Sequence, residues 1–417
     1  MTYPQAVQFL YSLGNEVLTA KLGLERILAV LEALGNPHLA YRVIHVAGTN
    51  GKGSTCAMLD AGLRAAGLRS GLYTSPHLVE PTERIQVDGI PISQAAFARA
   101  FDVVHEAALS LPLDCHPTYF ETVTAMAFWI FREMDVETAV VEVGLGGRLD
   151  ATNVVQPALT VITPIDFDHQ AYLGNTLEEI AGEKAGILKT GVPAVFAPQR
   201  PAAGEVLKKR AQKLGSPVTD SAQFQPRAVE SDDRGSWFVT HAGERLRCPL
   251  AGEHQVENAV TAALALEHLG IDPSGIADTR WPGRLEHVAP NPDILLDGAH
   301  NPAGARALAR YLGRFYGNRR VWMIFGAMSD KAVAEVGEIL FPCAQELVFT
   351  APHTPRAMSP QQLVTLAGRG QTESDIATAL DLVRSQAEAG DAIVVTGSLY
   401  LVGEARALLS RHTQRWS

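Results

Sequence analysis

An α/β fold built on a mainly parallel sheet is what the sequence predicts, and three observations predict it. Strand-like apolar runs alternate with helix-periodic ones along most of the chain. The first strong strand runs directly into a glycine-rich turn and then a helix. A length of 417 residues with 47% hydrophobic content can bury more than one sizeable core. The order opens with Leu24, Ile27, Leu28 and Leu31 at helical spacing, followed by a strand over 41–47. Strands over 71–74, 138–143, 159–164 and 193–197 then alternate with helices over 119–134 and 176–188. Such alternation needs crossover helices, hence a parallel sheet covered on both faces. Residues 217–250 lose helical periodicity and carry short β-like pieces such as Ser236–Thr240, the pattern of a small antiparallel addition to the main sheet. A helix over about 253–269 closes the first domain. The segment 271–292 contains Pro273, Pro282, Pro290 and Pro292 with Gly275 and Gly283, a composition that suits a linker and puts a domain boundary at 284/285. Beyond it, strands over 294–296, 321–325, 346–350 and 392–396 separated by helical stretches predict a second, smaller Rossmann-like unit.

Composition excludes several classes of function. With 45 acidic and 35 basic residues the formal charge is −10, which gives no overall attraction to nucleic acid or to an anionic membrane, so neither is expected as a partner. Cys56, Cys115, Cys248 and Cys343 form no C-x-x-C pair, which argues against a disulfide framework and a structural zinc site and for reduced, mostly buried thiols. The first basic residue is Lys21, and the longest strongly apolar stretch, 125–131, is far too short to span a bilayer. A soluble cytoplasmic protein is the expectation.

The strongest chemical signal is the turn Gly48-Thr49-Asn50-Gly51-Lys52-Gly53-Ser54. Glycines let backbone N–H groups face an anion, the helix N-terminus adds positive potential, and Lys52 can reach β- and γ-phosphates, so this is a nucleotide phosphate site. It departs from G-x-x-x-x-G-K-[ST], because position 46 is valine and Gly53 separates Lys52 from the hydroxyl of Ser54. Glu142 ends the strand 138–143 at the edge where α/β sheets place ligands, and a carboxylate there suits Mg²⁺ beside ATP phosphates. The glycines of 144–147 do not complete G-x-G-x-x-G, whose last position would be Leu149, so a nicotinamide cofactor is rejected. Other residues admit bland readings: Lys184 as a solvated helix lysine, Phe120 as core, His169 as a hydrogen-bonded loop residue, Asp297 and Asn301 as helix caps, and Ser398 as a turn serine.

Taken with Tyr73 to His77, Glu83 to Ile85, Glu142 to Asn153, Asp168-His169 with Leu173-Gly174, Glu183 to Gly186, Asn258, Pro282-Gly283-Arg284 and Asp297 to Pro302, the turn resembles the folate branch of the Mur ligase superfamily, the folylpolyglutamate and dihydrofolate synthases, over nearly the whole chain. The resemblance implies a Mur-ligase-like architecture: a P-loop ATP-binding ligase domain over 1–284, and a Rossmann-like glutamate ligase domain over 285–417. It implies ATP and two magnesium ions, with Ser75, Glu142 and His169 as metal ligands and Lys184 carbamylated. It assigns adenine to Asn258, phosphate to Arg284 and the ribose to Asp297. His300 is set towards the transferring phosphoryl and the incoming glutamate, and Ser398 towards glutamate. It maps the pteridine end to Leu22, Gly23, Leu24, Thr118, Phe120, Leu149, Asp150 and Ala151. The implied protein is a monomer acting on small molecules: ATP, L-glutamate and folate or dihydropteroate. A cell-wall Mur ligase with a UDP-linked acceptor and a nucleotide-dependent switch stand as alternatives; no N-K-x-D guanine motif occurs in the chain.

Overall fold

The computed structural model describes residues 1–14, 23–113, 116–329 and 331–413, with no side-chain description for 411–413. Leu22 and Cys115 lie outside the described residues. Residues 1–227, 239–247 and 257–279 form one compact unit, and residues 228–238, 248–256 and 280–417 form another.

The first unit is organised by eight strands: β1 (Arg42–Ala47), β2 (Ser70–Tyr73), β3 (Ile85–Val87), β4 (Ile90–Pro91), β5 (Thr138–Glu142), β6 (Leu159–Ile162), β7 (Ala194–Phe196) and β8 (Val218–Asp220). Their order is β4-β3-β2-β5-β1-β6-β7-β8, parallel from β2 to β8, with β3 and β4 antiparallel at one edge. β1 is central, with Val46 opposite Glu142 on β5 and Val161 on β6. Both faces are covered, and β5 and β6 are buried throughout, as a parallel sheet under crossover helices must be. Helix Tyr119–Glu133 packs on one side in a cluster with Phe97, Phe101, Phe128 and Phe131. In helix Glu25–Ala33 the buried residues are Ile27, Val30 and Leu31, whereas Leu28 is 44% exposed. The apolar stripe is therefore narrower than the spacing suggested.

Residues 217–250 differ from expectation. β8 joins the main sheet in parallel with β7, while β9 (Arg227–Ser231), β10 (Ser236–Val239) and β11 (Arg245–Cys248) make a separate three-stranded sheet instead of extending the main one. Tight turns join them, with Asp232 N–H bonded to Gly235 O and Thr240 N–H to Glu244 O.

The second unit carries β12 (Glu286–Pro290), β13 (Asp293–Leu296), β14 (Val321–Phe325), β15 (Glu346–Phe349), β16 (Gln371–Thr372) and β17 (Ala392–Thr396). Their order is β12-β13-β17-β14-β15-β16, and all pairs are parallel except β12 with β13. β12 falls in the segment expected to be a linker. Pro290 is its last residue, and as an edge strand it tolerates the missing donor. Phe341 packs edge-on to Phe325 and Phe349, with ring centroids 5.1 and 5.3 Å away, in the core under β14 and β15.

Cys56 and Cys248 are buried free thiols and Cys343 is a partly buried one. Among the described residues no helix is long and apolar enough to cross a membrane.

Candidate active site

Three neighbouring strand ends of the first unit deliver the site. β1 ends at Ala47, and Gly48 to Gly51 turn the chain into helix Lys52–Ala65. Gly51 has φ +84°, and a β-carbon there would fall 2.4 Å from Asn258 Oδ1, so only glycine lets the turn close beneath that amide. The turn is also latched to the segment after β6: Thr49 and Asn50 N–H both donate to Pro164 O, at 3.0 and 3.2 Å. Thr49 Oγ1 donates to Asp166 O at 3.0 Å and accepts from Asp166 N–H at 3.1 Å. Arg200 holds Asp166 from outside, 2.9 Å from its Oδ1. Ser54 is buried in the first helical turn.

Lys52 Nζ lies 3.4 Å from Thr49 O and 4.0 Å from Glu142 Oε1. At that separation the Coulomb attraction is about 4 kcal/mol for an effective dielectric of 20, partly offset by desolvation. The Lys52 ammonium is thus held at the tip of β5. The other oxygen of Glu142 accepts Ser75 N–H at 3.1 Å, so Ser75, Lys52 and Glu142 converge. His169 follows β6 in a left-handed conformation, φ +51°, with its N–H bonded to Asp168 Oδ1 at 2.8 Å and its ring Nε2 3.8 Å from the same oxygen.

Lys184 is not a solvated lysine. It is buried at the end of helix Leu177–Lys184. The Gly147 turn lies against its backbone, and Arg148 clamps that turn through Glu183: backbone N–H to Glu183 O at 2.8 Å and guanidinium to Oε1 at 2.9 Å. Asn153 Nδ2 bridges Arg148 O and Gly186 O, at 2.9 and 3.2 Å. Burial, then the neighbouring Lys52 charge, push its pKa down to about 7, against the opposing pull of Asp168 and Asp150.

Asp150 turns inward. Its carboxylate accepts Leu145 N–H at 2.8 Å, Thr152 N–H at 3.0 Å and the Thr152 hydroxyl, and burial raises its pKa while these bonds oppose the rise. It braces the 144–147 turn. His45 Nε2 meets the same Thr152 hydroxyl at 2.8 Å, a link from β1 that spacing alone does not reveal. Leu149 is partly exposed and Ala151 buried beside it. Thr118 caps helix Tyr119–Glu133, accepting Glu121 N–H at 3.3 Å while Glu121 returns a bond to Thr118 N–H at 2.8 Å. Phe120 is partly buried, and a β-carbon on Gly144 would fall 2.4 Å from its Cζ, so its ring lies against the Gly144 turn. Gly23 and Leu24, both partly exposed, lead into helix Glu25–Ala33.

In the second unit Asp297 directly follows β13. Its buried carboxylate accepts Leu285 N–H at 2.9 Å and Ala299 N–H at 3.0 Å, and burial raises its pKa. Helix capping falls to Asn301, whose Oδ1 accepts Gly304 N–H at 2.9 Å. His300 Nδ1 donates to Gly298 O at 2.8 Å. Ser398 is buried after β17, and its Oγ accepts Tyr400 N–H at 3.2 Å at the start of helix Leu399–Thr413.

The chain is similar to known proteins over most of its length. Residues 46–266 match the Mur ligase middle domain and residues 283–399 the Mur ligase glutamate ligase domain. A dihydrofolate synthase/folylpolyglutamate synthase of Bacillus subtilis is 37% identical over 417 aligned residues, covering 95% of this chain and 97% of the relative. The Escherichia coli protein of the same description is 35% identical, covering 94% and 92%. Mycobacterium tuberculosis folylpolyglutamate synthase, solved with ADP and AMPPCP, superposes with a TM-score of 0.91 at 35% identity over 98% of both chains. Escherichia coli FolC, solved with DHPP and ADP, superposes with a TM-score of 0.88 at 32% identity over 99% of both. With both Mur ligase domains matched and relatives of 35–37% identity aligned over nearly their whole length, the chain belongs to the folylpolyglutamate synthase and dihydrofolate synthase family of the Mur ligase superfamily.

Proposed function

We propose that the protein is an ATP-dependent ligase that joins L-glutamate to a folate-type carboxylate. The observation that carries the reading is the convergence on Glu142, where the Lys52 ammonium and Ser75 meet one carboxylate at the ends of adjacent strands. A carboxylate is a poor electrophile. Transfer of the γ-phosphoryl group of ATP to it gives an acyl phosphate and ADP. The glutamate amine then attacks the acyl carbon, loses a proton, and expels phosphate to leave an amide.

The chain's contribution is positioning and charge neutralisation. Lys52 and the first-turn N–H groups of its helix face the triphosphate, Arg284 meets phosphate, Asp297 the ribose and Asn258 the base. His300 and Ser398 orient glutamate. Phe120 offers a flat apolar face to the pteridine beside Leu149 and Ala151, while Thr118 and Asp150 hold the two segments that frame it.

Glu142, which presents carboxylate oxygen at the strand edge next to the Ser75 segment, would hold magnesium with Ser75, and the family resemblance adds His169 as the third ligand. Magnesium bound there supplies positive charge against the transferring phosphoryl oxygens. Lys184 fits a carbamate, because its burial favours the neutral amine that combines with CO₂. As a carbamate it supplies a carboxylate next to Lys52.

The test is an acceptor panel with ATP, magnesium and labelled glutamate, read by mass spectrometry. Dihydropteroate or a tetrahydrofolate is expected to gain glutamate. Product formed only with a UDP-muramoyl peptide, or nucleotide binding with no new amide under any acceptor, overturns the reading. Gly144→Ala probes the acceptor wall alone: its new methyl displaces the Phe120 ring, and the acceptor KM is expected to rise about tenfold with the ATP KM nearly unchanged. An equal rise in both places Phe120 elsewhere.

A further inference from the structure

We propose that Arg406 and Glu286 are positioning residues that fix the 283–285 turn, and with it the guanidinium of Arg284. The proposal rests on the reading of Arg284 as a phosphate contact. Arg284 lies against the turn after β13, where a β-carbon on Gly298 would fall 2.5 Å from its Nη1. Three hydrogen bonds set the backbone that carries it. Gly298 N–H donates to Gly283 O at 2.9 Å, Leu285 N–H to Asp297 Oδ2 at 2.9 Å, and Gly283 N–H to Glu286 Oε2 at 2.8 Å. Between them Leu285 is held at φ +46°, a left-handed conformation that a leucine keeps only where its surroundings impose it.

The first two bonds are made to the Gly283 carbonyl and the buried Asp297 carboxylate, but the third hangs on the partly exposed carboxylate of Glu286. Arg406 pins that carboxylate, its Nε–H shared between Oε1 at 3.0 Å and Oε2 at 3.2 Å. Arg406 stands two turns into the helix that begins beside Ser398. The pair is partly exposed, with side-chain exposures of 32% and 20%, and such pairs add little to stability. Its effect is therefore orientational. A loosened Glu286 frees Gly283 N–H, lets the strained Leu285 relax, and moves Arg284 off its aim.

The test uses the full-length protein and four measurements: affinity for AMPPCP by calorimetry, ATP kcat/KM, acceptor KM, and the unliganded thermal midpoint. Arg284→Ala is expected to lower ATP kcat/KM about a hundredfold, and Arg406→Gln and Glu286→Ala about tenfold, with acceptor KM within about twofold. Glu286→Gln keeps an acceptor for Gly283 N–H and is expected to recover about half of the logarithmic loss. Arg406→Gln added to Arg284→Ala is expected to cost nothing more.

If Arg284→Ala leaves ATP parameters unchanged, the phosphate assignment of Arg284 fails and the proposal with it. If Arg284→Ala is damaging while Arg406→Gln and Glu286→Ala shift only the thermal midpoint, or if the double variant loses activity additively, the positioning proposal alone is overturned.

Discussion

Lys52→Ala is expected to lower turnover by about 10³-fold or more, the scale on which removing a preorganised charge from a developing oxyanion is felt. The fold should survive. The side chain leaves the start of a helix whose buried residues, from Ser54 to Leu63, are all retained, and it reaches the Thr49 carbonyl and the Glu142 carboxylate at the site itself. Removing the ammonium leaves Glu142 without that counter-charge but still bonded to Ser75 N–H. Circular dichroism and a thermal melt should match the parent while amide formation disappears. Turnover within tenfold of the parent would mean that the triphosphate is not held by this turn.

Lys184→Ala is expected to lower kcat about 10²-fold while AMPPCP affinity stays within a few-fold, because the proposed carbamate acts on the transferring phosphoryl while Lys52, its charged neighbour, stays in place. The pH dependence has a definite sign. With a pKa of about 7 in place of 10.5, the neutral amine grows from about a tenth of the population at pH 6 to about nine-tenths at pH 8. Carbamylation also releases a proton, so at fixed CO₂ pressure a ¹³C carbamate resonance is expected to strengthen by about tenfold or more over that interval, and to be absent from Lys184→Ala. A signal independent of pH, or one that persists in the variant, removes Lys184 as the carbamate. Stability of the unmodified protein follows the same shift. Between pH 7 and 10.5 the unfolded chain holds a proton that the folded one has shed, so stability rises with pH through that window and loses this contribution below 7.

How much of this was legible in the sequence depended on the distance over which each constraint acts. β1, its glycine turn and the helix at Lys52 form one continuous stretch, and a buried strand that ends in two glycines and a lysine has few other uses. The tip of β5 was legible for the same reason. The burial of Lys184 was not, since helix Leu177–Lys184 reads as polar and the turn packed against its end is clamped by Arg148, 35 residues before its partner Glu183. Nor was the inward bonding of Asp150, which needs Thr152 and the Leu145 amide together. β12 was hidden by the prolines around it, and β3 and β4 by having three and two residues, too few to show a period. The Arg406–Glu286 pair spans 120 residues, and charged residues that far apart look like ordinary surface until the fold joins them.

The strand ends of β1, β5 and β6 stand side by side and carry the phosphate turn, Glu142 and the segment leading to His169. The residues proposed to face the acceptor sit on the start of helix Tyr119–Glu133 and on the stretch around Leu149, beside those turns but not in them. On that reading the transfer chemistry and the fit of the acceptor draw on different side chains. Exchanging Phe120 or Leu149, both only partly buried, then reshapes the acceptor wall while the phosphate turn and Glu142 stay in place.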